Sequence, residues 1–292
     1  MKIIDTTTFF EEEMMMDIRF NILDKYVDYF IVCEALFTHR GERKNINFNI
    51  NKYPQFKHKI IHLVLEKEPE DLIKNIKDSK DFNIRINSIK RISAQRNFIE
   101  SALKDFSQDD YVIYSDNDEI PNLELFNPMK INKKILIFKQ EMYYYKFNLK
   151  NKGVEWFGSK ACKIKDLKSI NWLRNIKNRR YKLFRFDTLF SDFKYIDLKI
   201  LENGGWHFTN LKTPEELERK FINDENHFDY DLSKIDLNVI KDMMNKKIIK
   251  YDHSAKKNSK ERFTNKKLEI VNNEELPKFL QLNKEKYNNW FA

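Results

Sequence analysis

The chain has 292 residues, a formal net charge of +9 and only two cysteines, Cys33 and Cys162, far apart in sequence. That length suits one large α/β domain, or a domain with an extension, and a composition that is 41% hydrophobic and 14% aromatic excludes a disordered chain. Five glycines without a Gly-x-Gly-x-x-Gly or Walker pattern exclude a glycine-rich phosphate loop, and two isolated cysteines exclude a disulfide framework or a cysteine metal site and point to a reducing compartment.

Ile3-Ile4 reads as a short strand that ends in a polar turn at Asp5-Thr6-Thr7-Thr8. Met15, Ile18 and Ile22 then recur at helical spacing and predict an amphipathic helix over about 11–24. Tyr29-Phe30-Ile31-Val32-Cys33 is a fully apolar strand with Glu34 at its carboxyl end, and Ile60–Leu65 is another. Strands alternating with helices predict βαβ units and a mostly parallel sheet. Residues 85–106 form a long predicted helix whose buried stripe runs Ile89, Ile92, Arg96, Ile99, Leu103, Phe106. A charge in mid-stripe is costly unless paired. Arg96 either snorkels or meets a structural carboxylate, or it reaches an acidic edge or a phosphate, which a guanidinium suits. The strand that follows favours the second reading.

That strand carries the most informative stretch, Tyr111-Val112-Ile113-Tyr114-Ser115-Asp116-Asn117-Asp118-Glu119-Ile120-Pro121. A buried strand runs straight into three carboxylates. In an extended chain Asp116 and Asp118 share a face, with Asn117 and Glu119 on the other. Two carboxylates aimed at one point need a positive partner. Mn²⁺ or Mg²⁺ suits oxygen ligands and completes its shell with water and substrate phosphates, so the pair reads as a metal–diphosphate site at the carboxyl edge of the sheet. The plain alternative is a solvated acidic turn. A calcium EF-hand loop is excluded, because its sixth and twelfth positions here are Pro121 and Asn127.

Further on, Ile135-Leu136-Ile137-Phe138 is a strand that leads into the aromatic run 141–147, most of it expected in the core. Glu141 and Glu155 are carboxylates placed where a general base can sit. Gly204-Gly205 precede Trp206-His207-Phe208-Thr209, and adjacent glycines permit positive φ or close backbone approach. His207 is either a satisfied structural histidine or a further Mn²⁺ ligand. Thr213-Pro214-Glu215-Glu216 carries the signals of a capped helix start. Beyond about 250 the chain turns Lys/Asn-rich and weakly patterned, and residues 251–292 are expected to form a helical or partly ordered extension. The densest basic run, Lys177-Asn178-Arg179-Arg180-Tyr181-Lys182, reads as a solvated face that can also touch an anionic membrane surface peripherally. No window approaches a membrane-spanning length and no signal peptide is evident, so the expectation is a soluble, cytoplasmic chain.

Several of these segments, in order, resemble glycosyltransferase family 17. They are Asp5 with Phe9, Phe10 and Glu12 or Glu13, then Val27-Asp28-Tyr29-Phe30 through Glu34, Thr38, Gly41, Lys44 and Phe48. Gln95-Arg96-Asn97, Ser115 to Pro121, and Gly205-Trp206-His207-Phe208-Thr209 complete the set. The resemblance covers roughly 1–250. It implies an α/β, GT-A-type fold with a Rossmann-like, mostly parallel mixed sheet, a nucleotide half over about 1–121 and an acceptor half over about 122–250. It further implies inverting transfer of a sugar, N-acetylglucosamine, from a UDP-sugar donor to a hydroxyl of a glycan acceptor (an oligosaccharide, lipid-linked glycan or glycoprotein), with no nucleic acid partner. Asp116 and Asp118 would hold the metal, and beside the resemblance His207 stands as a further metal ligand or a third candidate base. Asp5, Thr6, Glu34, Arg96 and Asp116 would lie on the donor-nucleotide side, and the residues themselves leave Glu141 and Glu155 as the candidate bases. Asn117 stands where the family has an apolar residue, and Asn210-Leu211-Lys212 departs after the Trp-His motif. Two other readings stay open, an Asp-nucleophile phosphohydrolase and a non-enzymatic basic nucleic-acid-binding protein. Metal-dependent release of uridine diphosphate that is lost in Asp116→Ala separates the first reading from both.

Overall fold

The computed structural model describes residues 1–74, 80–124, 126–179, 181, 190–223, 235–250 and 265–292. Strand β1, Ile3–Phe9, is followed by helix α1, Glu13–Leu23, strand β2, Tyr29–Ala35, and strand β3, Ile60–Leu65. Helices α2, Lys80–Phe98, and α3, Glu100–Leu103, lead to β4, Tyr111–Ser115, which runs parallel to β1. In the sheet, β3, β2, β1 and β4 lie side by side and all parallel. Both faces of such a strand are covered, which is why these segments read as unbroken apolar runs. Phe30, Val32, Tyr111 and Ile113 pack with Met16 and Phe20 of α1. Ile31, Cys33, Val112 and Tyr114 pack on the opposite face with Ile99 and Leu103.

After β4 the sheet becomes mixed. Strands β5, Glu119–Pro121, β6, Ile135–Tyr144, β7, Leu149–Lys150, and β8, Trp156–Lys163, come next, and β8 lies antiparallel between β4 and β6. Helix α4, Ile170–Asn175, precedes β9, Leu198–Leu201, and β10, Gly205–Thr209. Both β9 and β10 run parallel to β6, and β10 also pairs antiparallel with β5. The result is an α/β protein with a mixed, curled sheet, most of its residue pairings parallel, flanked by helices. Helix α5, Pro214–Asn223, starts as its sequence predicts: Thr213 N–H donates to Glu216 and Glu216 N–H to Thr213 Oγ1, a reciprocal capping box.

Two expectations change. Strand β1 extends through the predicted turn, so Asp5, Thr6 and Thr7 are strand residues and buried. A carboxylate is tolerated there because Arg19 of α1, fully buried, donates Nε and Nη2 to its two oxygens at 2.7 and 2.6 Å. Ile89 was expected in the buried stripe of α2 but is 48% exposed, because it faces an open cleft instead of the sheet. The last stretch, 265–292, packs into the main core through Val271, Leu276, Leu280 and Tyr287. Residues 251–264 of the expected extension, and Arg180 and Lys182 of the basic run, lie outside the described residues.

Candidate active-site cleft

The chain order of the parallel strands reverses between β1 and β4: β2 and β3 were laid down on one side of β1, and β4 returns to the other. Open α/β sheets hold ligands at the carboxyl ends of such a reversal. A cleft of about 590 Å³ opens there. Phe10, Phe37, Ile89 and Ile92 line one side, and Met142, Tyr144, Trp156, His207 and Lys220 the other, with Asp116, Asp118, Arg96 and Arg174 also lining it.

The acidic cluster is not extended. Strand β4 stops at Ser115, and Glu119 N–H donates to the Asp116 carbonyl at 3.0 Å, closing a turn, while Asp116 N–H donates back to Glu119 Oε2 at 3.1 Å. The strict alternation of a strand therefore does not apply, and Glu119 folds back beneath Asp116 instead of facing away. The turn hangs from the core: Arg19 Nη1 donates to the Glu119 carbonyl at 2.6 Å.

Two guanidiniums converge on Asp116. Arg96 Nη2 donates to Oδ1 at 3.0 Å, and Arg174 Nε and Nη2 donate to Oδ2 at 2.8 and 2.6 Å. Tyr114 Oη also donates to Oδ1, at 3.0 Å. Burial pushes the Asp116 pKa up, but the Arg174 and Arg96 charges outweigh it and hold the carboxyl far below the usual range. Glu119 is fully buried, and burial with the Asp116 charge raises its pKa. An Asp with both oxygens held in this way is a poor nucleophile, which weakens the phosphohydrolase reading.

Asp118 faces a different partner. Its Oδ1 lies 3.3 Å from His207 Nε2, and its pKa is lowered, burial being outweighed by His207 and Lys220. His207 arrives on β10 opposite Glu119, and Phe208 N–H donates to the Asp118 carbonyl at 2.8 Å. The Trp156 ring stacks on the imidazole, centroids 4.5 Å apart, and its Nε1 donates to Glu119 Oε1 at 2.8 Å. His207 Nδ1 is buried without a hydrogen-bond partner among the described residues. The Asp118 carboxylate and the Nε2 that faces it form an oxygen–nitrogen pair of the kind a divalent cation takes, its remaining positions going to diphosphate and water, while the orphaned Nδ1 is the ring's other nitrogen. Asp118 and His207 fit Mn²⁺ or Mg²⁺ on these grounds. Asp116 has both oxygens engaged by the two guanidiniums, and among the described residues no three His, Cys, Asp or Glu side chains form one ligand set.

The structure brings Arg96, Asp116, Asp118 and His207 to one cleft but leaves other expected site residues outside it. Asp5 is held by Arg19 in the core, and Thr6 Oγ1 donates to the Ile113 carbonyl beneath the floor. On β6, Met142 and Tyr144 line the cleft, so Glu141, one residue before Met142, faces away and pairs with Lys150 at 2.9 Å. Glu155 is 65% exposed and pairs with Lys139 at 2.6 Å.

Glu34 organises the loop beside the cleft. It accepts from Asn47 and Phe48 N–H at 2.8 and 3.0 Å and from the Lys44 ammonium, and Lys44 itself lines the cleft. Burial raises its pKa, but His62, Lys44 and the two N–H groups outweigh this and lower it from 4.5 to about 2. A depressed carboxylate stabilises the fold above its unfolded value, and that contribution is lost as pH falls from 4.5 through about 2. Glu34→Gln is therefore expected to cost on the order of 3 kcal/mol at neutral pH, with its melting curve converging on the wild-type curve near pH 2.

The residues that sequence reading missed are Arg174, Trp156 and Lys220. Arg174 lies on a helix of six residues, too short for a periodic signal.

The sequence profile of glycosyltransferase family 17 matches residues 1–175. Beta-1,4-mannosyl-glycoprotein 4-beta-N-acetylglucosaminyltransferase of Rattus norvegicus is 25% identical over 264 residues, 83% of this chain and 47% of that protein. The Homo sapiens protein of the same name is also 25% identical, over 83% of this chain and 48% of its own length. The chain thus spans about half the length of these curated relatives. Among solved structures, HddC from Yersinia pseudotuberculosis aligns with a TM-score of 0.33 at 11% identity, over 70% of this chain and 92% of that one. Its complex with GMP-PN aligns with a TM-score of 0.35 at 12% identity, over 75% and 97%. Among the described residues no helix is long and apolar enough to cross a membrane. With its profile match covering more than half of its length, the chain belongs to glycosyltransferase family 17.

Proposed function

We propose that this chain is a metal-dependent, inverting glycosyltransferase of GT-A type that moves N-acetylglucosamine from a UDP-sugar to a glycan hydroxyl. The observation that carries the reading is the division of the cleft at the Asp-x-Asp turn. Two guanidiniums gather on one side, and a carboxylate–imidazole pair on the other. A nucleoside diphosphate needs both kinds of partner, and the names of the family relatives, N-acetylglucosaminyltransferases, support the choice of sugar.

In this reading Arg96 and Arg174 bind and orient the donor diphosphate, with Asp116 keeping the two like charges together. Asp118 and His207 would hold Mn²⁺ or Mg²⁺, which supplies Lewis-acid neutralisation of the departing diphosphate. Trp156 fixes the plane of the His207 ring. The apolar wall of Phe10, Phe37 and Ile92 excludes water from the donor. The anomeric carbon–phosphate oxygen bond breaks as the acceptor oxygen bonds to that carbon from the opposite face, so configuration inverts. The acceptor hydroxyl gives up its proton to a base.

Incubation with a panel of nucleotide sugars and Mn²⁺ tests this. Release of uridine diphosphate from UDP-N-acetylglucosamine, abolished by chelator and restored by Mn²⁺, is the expected result. No thermal stabilisation and no turnover with any uridine diphosphate sugar would overturn it, and release of uridine monophosphate or inorganic phosphate would point to hydrolase chemistry.

A further inference from the structure

Behind the cleft floor lies an ammonium group that the proposed chemistry does not use. Lys160 sits within β8, opposite Tyr114 of β4 and Ile137 of β6, and is 3% exposed. Its Nζ donates to the main-chain carbonyls of Arg174 and Ile176, the latter at 2.8 Å. These carbonyls close the carboxyl end of α4, where a helix leaves its last acceptors unpaired and favours a cation. Burial pushes the Lys160 pKa down to about 7, with Arg174 and Arg96 acting the same way and Glu119 and Asp116 against. Keeping an amine in the core with no ion pair to a described carboxylate is costly, so its use there needs a reason.

Helix α4 supplies the reason. At six residues it is too short to hold its own direction, yet it must aim Arg174 at Asp116 with two hydrogen bonds. Ser169 caps its start, accepting from Trp172 N–H at 3.1 Å, and Lys160 ties down its end. We propose that Lys160 is a positioning residue for the donor: by capping α4 it sets the angle at which Arg174 presents its guanidinium to a nucleoside diphosphate. The inference rests on the reading of the cleft as a diphosphate site. Lys160 does not line the cleft, so it acts through Arg174 and not by touching the donor.

The test is a double-mutant cycle read by calorimetric binding of uridine diphosphate with Mn²⁺. Lys160→Met keeps the length and apolar stem while removing the donor groups. In the wild-type background it is expected to weaken binding about tenfold, the scale of a lost charge-assisted hydrogen bond. In an Arg174→Ala background the same change is expected to alter affinity by less than about twofold, because the group it aims is gone. In turnover, Lys160→Met should raise the donor KM more than it lowers kcat. A purely structural lysine would lower the melting temperature equally in both backgrounds and leave this coupling at zero. Should Lys160→Met fail to fold, Lys160→Gln, whose amide still donates, enters the same cycle with a smaller expected loss. Wild-type affinity in the single variant, or an undiminished loss in the Arg174→Ala background, overturns the proposal. If the wild-type chain itself binds no uridine diphosphate, the diphosphate reading fails and this one with it. Binding with additive losses refutes only the role of Lys160.

Discussion

Asp118→Ala is expected to lower release of uridine diphosphate from a UDP-sugar by about a hundred- to a thousandfold, the scale seen when a group that stabilises a departing charge is removed. The fold should be left nearly unchanged. What holds the turn in place is main chain: the Asp118 carbonyl accepts from Phe208 N–H, Glu119 N–H donates to the Asp116 carbonyl, and Arg19 grips the Glu119 carbonyl. None of these needs the Asp118 carboxylate. A melting temperature within a few degrees of wild type, beside lost turnover at saturating Mn²⁺, is therefore the expected pair of results. A variant that kept a tenth of wild-type turnover would remove Asp118 from the proposed chemistry. Asp116→Ala should behave differently, because it leaves Arg96 and Arg174 facing each other without the carboxylate between them. Part of its loss is expected as stability.

Gly205→Ala is the second large effect, and here the fold itself fails. Gly205 has φ +126°, a region closed to residues with a Cβ, and a Cβ there would meet the Ile120 carbonyl oxygen at 2.1 Å and Asn122 N at 2.7 Å. Those atoms belong to β5 and the chain just beyond it, so no flexible side chain can yield. The neighbouring Gly204 is crowded in the same way against the Lys139 backbone, at 2.6 Å. A loss above about 4 kcal/mol is expected, beyond the range of ordinary substitutions. If the protein survives, the opening falls between β5 and β10, which carry Asp118's neighbours and His207. Chemical denaturation measures the first effect and Mn²⁺ affinity the second. A fully stable Gly205→Ala with unchanged Mn²⁺ affinity would contradict the described backbone.

Local features were the legible ones. Strands β2 and β4 announce themselves as apolar runs because both of their faces are covered, the edge strand β3 reads the same way with only Ile60 buried, and α5 is marked by capping residues three apart. Arg96 could be singled out because a charge in an apolar stripe breaks a pattern. The adjacent glycines could be singled out in a chain that has so few. Pairings across the sheet were not legible. Asp5 looked like a site residue until Arg19, from the next helix, was seen to occupy it. Glu141 looked available until the register of β6 turned it away from Met142 and Tyr144. Extended-chain geometry separated Glu119 from Asp116, and an acidic turn, the alternative reading of the same residues, brought them together.

The pairing of β10 with both β5 and β6 also orders events during folding. Strands β1 to β4 pair with one another using residues before 116, so the frame beneath Arg96 is expected early, while Arg174 waits for α4. The imidazole side waits for a strand from far downstream to slot between two segments already made. Closing so long a loop is the slow kind of step. In a refolding experiment, tertiary signal from the parallel half should therefore return before Mn²⁺ affinity does, and the lag between them would time the arrival of the last strand.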